Sequence, residues 1–109
     1  MTPFKNIQEH IGSNPEKLYK TTLHQGQHLL LGLNCLEPRQ AQAVHTHAEQ
    51  DKFYYVVEGK GQFTLGEDKH TVTVGHSVWA PAGMAHGVAN NGDATLVILM
   101  GMSPPPTPK

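Results

Sequence analysis

The chain has 109 residues, enough for one packed domain and too few for two. Eight Lys plus Arg stand against nine Asp plus Glu, a net charge of −1, which argues against an electrostatic nucleic-acid surface or a polybasic membrane anchor. Cys35 is the only cysteine and no run reaches the about 18 apolar residues of a membrane span, so neither an internal disulfide nor a spanning helix is expected and the default setting is cytoplasmic.

Residues 1–15 read as an N-terminal extension that lacks the apolar stretch of a secretory leader and closes on the loop signal Gly12-Ser13-Asn14-Pro15. Glu16 to His24 alternates loosely and favours strand, and Gln25-Gly26-Gln27 reads as a hairpin turn. His28 to Leu36 is a strongly apolar strand expected to be covered on both faces. Within it Cys35 reads as core packing rather than as a nucleophile. Glu37 to Gln40 breaks that strand, Val44 to His47 forms a short one, and Ala48 to Asp51 is a polar connection. Phe53 to Val57 is aromatic and β-branched throughout, the clearest strand of the chain.

Glu58 to Gly61 turns into Gln62–Leu65, Gly66 to Lys69 turns again, and His70–Val74 alternates cleanly. Ser77–Ala80 is a short strand, Pro81-Ala82-Gly83 bends the chain, and Ala85–Ala89 follows. Asn90 to Asp93 is a strong turn before the final apolar strand, Ala94 to Met100. Ser103 to Lys109 carries four prolines and reads as a flexible or polyproline tail, with docking of a protein partner a weaker use for it. About nine short strands and no helical period predict an all-β fold, an antiparallel jelly-roll sandwich or barrel spanning residues 16–102. The apolar strands 28–36 and 94–100 exceed what a small barrel buries, which suggests a homodimer.

Three of the eight histidines have informative spacing. His45 and His47 are two apart in a predicted strand, so their rings share a face. His86 enters from the turn before another strand and would close a triangle of imidazoles, a donor set suited to Fe, Ni, Cu or Zn. His70 and His76 are expected to face solvent, and His10, His24 and His28 carry no spacing argument. Tyr54, Phe63, Trp79, Met84 and Met100 are candidates for the barrel core or for an apolar pocket above the histidines. No nucleophile–base pair of the hydrolase kind is visible.

These motifs and the strand order resemble the cupin superfamily. Gly75, Pro81, Gly83, His86 and Asn90 match its second motif at every fixed position, and His45, His47 and Gly59 match its first. Two first-motif positions depart: Arg39 stands where the opening glycine belongs, and Lys52 where the family carries a glutamate. The resemblance implies a single-domain cupin β-barrel in which His45, His47 and His86 hold a divalent ion (Fe, Mn, Ni or Zn). The glutamate would be a fourth ligand, so its replacement leaves a choice. Asp51 or Gln50 takes its place, or three histidines act alone with open positions, or no metal is tightly held. Strand parity disfavours Asp51, which shares a face with Phe53 and Tyr55, whereas Lys52 shares one with Tyr54 and Val56. An ammonium about 4 Å from a divalent cation is strongly unfavourable, so Lys52 must turn away, lose its proton or meet an anionic substrate. The resemblance implies a metal-dependent enzyme on a small organic molecule, dioxygenase-like before isomerase-like. The alternative is a non-catalytic small-molecule binder or sensor. No individual catalytic residue is assigned.

Overall fold

The computed structural model describes residues 2–106. Nine strands account for the architecture: β1 (Tyr19–Gln25), β2 (Leu30–Leu36), β3 (Ala41–His45), β4 (Asp51–Glu58), β5 (Lys60–Leu65), β6 (Asp68–Thr73), β7 (Ser77–Ala80), β8 (His86–Ala89) and β9 (Leu96–Ser103). Among the described residues the one helical element is a 3₁₀ turn, Ile7–Glu9, capped by the Asn6 side chain accepting from the Gln8 amide. All pairings are antiparallel. A five-stranded sheet in the order β1-β2-β9-β4-β7 faces a four-stranded sheet in the order β3-β8-β5-β6. This is the jelly-roll arrangement that the strand spacing predicts.

Side-chain alternation separates two apolar layers. The faces turned toward each other contribute Leu36, Tyr54, Val56, Phe63, Val72, Val78, Ala80, Val88, Leu96 and Ile98 to one buried cluster. The outer face of the larger sheet contributes Leu23, Leu33, Cys35 and Val97 to a second, covered by Ile7, Ile11 and Tyr19. Strand β2 is therefore buried on both faces, as its composition requires. Its outer cover is the chain's own N-terminal segment.

Most strand boundaries differ from the sequence reading by one or more residues, and in three strands the local reason is visible. Strand β1 begins at Tyr19 rather than Glu16, because Asn14 Oδ1 accepts from the Glu16 amide and holds a turn there. Strand β3 runs over 41–45 rather than 44–47, since Ala41 and Gln42 pair with Ala89 and Val88 before the register shifts ahead of His45. His47 thus lies just past the strand end. Strand β9 begins at Leu96 rather than Ala94, because the Ala94 carbonyl is taken by the Asn90 side chain. It runs on to Ser103 because Asp51 and Lys52 pair with Ser103 and Met102. The tail reading for residues 107–109 lies outside the described residues.

Asn90 is fully buried, and its amide donates to the carbonyls of Leu36 (2.8 Å) and Ala94 (2.9 Å) while its oxygen accepts from Gly92 N (3.0 Å). That one side chain ties the β8–β9 turn to the end of β2. Arg39 has φ 74°, the left-handed region where an L side chain is strained. Arg39→Gly should therefore stabilise the fold by up to about 1 kcal/mol, the relieved strain being partly offset by glycine's freedom in the unfolded chain. Asn90→Asp sets a carboxylate oxygen against two carbonyls and should cost on the order of 3 kcal/mol. Denaturant unfolding of both variants beside the parent checks the two signs.

Candidate metal centre

His45 closes β3 and is the cross-strand partner of His86, the first residue of β8. Their ring centroids stand 4.4 Å apart, and His47 adds separations of 4.8 Å to His45 and 5.5 Å to His86. The nitrogen atoms that these three side chains would offer to a metal all lie within 4.8 Å of one another. His86 is buried, and the other two are half-buried.

Two backbone carbonyls set which nitrogens are available. His45 Nδ1 lies 2.7 Å from Ala43 O, and His86 Nδ1 lies 3.0 Å from Met84 O. A carbonyl only accepts, so Nδ1 carries the proton in both rings and Nε2 keeps a lone pair. His86 Nε2 is buried with no hydrogen-bond partner. A backbone carbonyl on one ring nitrogen and an unpartnered lone pair on the other is how metal-binding histidines are oriented. The donor set thus fits a divalent ion, although no ion is part of the structure.

The turn between β7 and β8 is clamped to the segment carrying His47. The Gly83 amide donates to His47 O (2.8 Å) and the Ala82 amide to Asp51 Oδ1 (2.9 Å). On its other side the Gly66 amide donates to Ala85 O (2.8 Å). Asp51, considered as a fourth ligand, is exposed and outside the imidazole group; its parity in β4 points it at this turn, where it fixes the approach to His86. The other substitute, Gln50, donates from Nε2 to Pro104 O at 3.0 Å.

Lys52 faces the barrel interior with Tyr54 and Val56 and is only 3% exposed. Its ammonium lies 5.1 Å from the centre of the Tyr54 ring, which in turn lies 6.1 Å from the His86 ring. Burial, and then the neighbouring Lys20, push the Lys52 pKa down to about 8. Burial likewise pulls His47 and His86 below the usual histidine range, helped by the positive charge of Lys52. For His47 and His86 this favours the neutral ring, the form that ligates metals.

The other pocket candidates divide. Phe63 is buried beneath the site, its ring 5.4 Å from Tyr54. Trp79 does not join them: it is 58% exposed, because Val78 and Ala80 take the inward positions of β7. Met84, in the turn before His86, is also exposed. His70 and His76 lie in a separate groove between β6 and β7. The histidine site opens into a cavity of about 490 Å³ lined in part by Lys20, Leu30, Gln42, Lys52, Met100 and Met102. Lys20, Leu30, Gln42 and Met102 were not singled out from the sequence. The signal that locates two of them is register: Leu30 pairs with Met102 and Met102 with Lys52.

The family pattern for the cupin domain matches residues 32–102, and the chain belongs to that family. It is 33% identical over 79 residues to an uncharacterized protein of Streptomyces coelicolor, covering 72% of this chain and 73% of that protein. It is 34% identical over 62 residues to an uncharacterized protein of Methanocaldococcus jannaschii, covering 57% of this chain and half of that protein's length. The crystal structure of TT1209 from Thermus thermophilus superposes with a TM-score of 0.93 at 35% identity, over 96% of this chain and all of that one.

A buried amine without a compensating carboxylate destabilises the folded state. The folded pKa of Lys52 lies below its ordinary 10.5, so the penalty is full below about pH 8 and fades as the pH rises from there to 10.5. Lys52→Met removes it and should stabilise the metal-free protein at pH 7 by on the order of 3 kcal/mol. Chemical denaturation at pH 7 and again near pH 10 checks this, the gain being smaller at the higher pH.

Proposed function

We propose that this cupin is a divalent-metal-dependent enzyme acting on a small organic molecule that enters the 490 Å³ mouth beside the histidines. The observation that carries this is the buried, unpartnered Nε2 of His86 within a group of three imidazoles. His45, His47 and His86 would hold the ion, all from one chain, so no second copy is needed to complete the set. When bound, such an ion supplies Lewis-acid activation of substrate oxygen atoms, and a redox-active one adds dioxygen chemistry.

The chain's own residues contribute orientation and exclusion of water. The carbonyls of Ala43 and Met84 keep the protons of His45 and His86 on Nδ1. Leu30, Met100 and Met102 make one side of the mouth apolar. Tyr54 and Phe63 close the floor below His86. The absence of a carboxylate from the histidine group favours a second reading, a metal-bearing binder without turnover. Protein purified without chelator should carry a near-stoichiometric transition metal. His45→Ala and His86→Ala should lose it, and Asp51→Asn should retain it. Elemental analysis decides between these outcomes, and a parent protein that neither retains nor takes up metal sinks the proposal. Oxygen uptake with catechols, diketones and thiols then separates enzyme from binder.

A further inference from the structure

Lys52 is a charged side chain that the proposed metal chemistry does not use, inside the barrel and beside the imidazoles. Among the described residues the only charged group that acts on it is a second cation, Lys20. No carboxylate belongs to the nearby histidine group. A buried ammonium is retained at such a cost only where something supplies the missing negative charge.

We propose that the mouth of the barrel selects a small organic carboxylate, with Lys52 as the specificity-determining residue that receives its charged head. The ligand class follows from the lining. Lys52 and Lys20 give two ammonium groups, while Leu30, Met100 and Met102 offer an apolar wall for the organic body. Register places Lys52 opposite Met102, and Met102 opposite Leu30, so the cation and the apolar wall are neighbours on one sheet face. Lys20 sits opposite Asn34, whose amide Nδ2 is buried without a partner. The Tyr54 hydroxyl is also buried without a partner, on the residue whose ring Lys52 overlies. At neutral pH Lys52 remains largely protonated, its pKa being about 8.

The inference names the substrate class of the site proposed above and rests on that reading for its link to catalysis; its test does not need the metal. Metal-free protein is titrated calorimetrically with benzoate and hexanoate, each against its neutral amide. The carboxylates should bind about tenfold more tightly than the amides, and Lys52→Met should abolish the preference. Lys52→Gln gives a second variant if Lys52→Met does not fold, and the carboxylate–amide comparison in the parent protein needs no variant. In parallel, zinc affinity is measured by competition with a chromogenic chelator. Lys52→Glu, which places a carboxylate where a cation stands, should tighten zinc and remove carboxylate binding. Equal binding of acid and amide, no binding of either acid up to millimolar concentration, or an undiminished preference in Lys52→Met overturns the inference. Failure of the parent protein to take up zinc overturns the metal reading alone and leaves the metal-free comparison intact.

Discussion

Two hydrogen bonds shape the chemistry of this barrel: His45 Nδ1 to Ala43 O and His86 Nδ1 to Met84 O. Each acceptor is a backbone carbonyl two residues upstream, so the local path of the chain settles the tautomer and no second side chain is needed. The antiparallel register then sets the two rings against each other across β3 and β8. The clamp from the 81–85 turn to His47 and Asp51 fixes the third. Loosening that turn displaces His47 and His86 together, since it binds one backbone and leads directly into the other.

Lys52 changes the electrostatics of that constellation. A glutamate at this inward position would lower the charge of a site holding a divalent ion by one unit, and the lysine raises it by one. The two arrangements call for opposite partners: the first tolerates a neutral ligand, and the second draws an anion. Parity in β4 makes the exchange consequential, because Lys52 lines up with Tyr54 and Val56 and cannot turn to solvent without reversing the strand.

Much of this was readable from residues alone. Alternation groups Lys52 with Tyr54 and Val56 and Asp51 with Phe53 and Tyr55, though which face is inward waits for the fold, and the complete second motif singles out His86. Arg39, which stands at the glycine position of the first motif, adopts the positive φ that a glycine accommodates without strain. What escaped was non-local. Neither the composition of Glu16–His24 nor that of residues 94–102 says that Lys20 and Met102 meet the histidines at one mouth. Trp79 looked internal because large aromatics usually are, yet two smaller neighbours in a four-residue strand occupy its inward positions. The cover over β2 was equally hidden, since Ile7 and Ile11 show no periodicity that names their target.

The placement of unsatisfied groups supports the mouth as the working end independently of any motif. Among the described residues four buried side-chain atoms lack a hydrogen-bond partner: Asn34 Nδ2, Gln42 Oε1, Tyr54 Oη and His86 Nε2. Each such group costs roughly 1–3 kcal/mol, and folded proteins seldom retain them without a use. Gln42 lines the cavity, His86 belongs to the imidazole group, Tyr54 lies under Lys52, and Asn34 pairs with Lys20 of the rim. The fold thus sets Gln42, the buried Lys52 and the imidazole group around one opening, and secures the opposite end with apolar packing and the fully bonded Asn90.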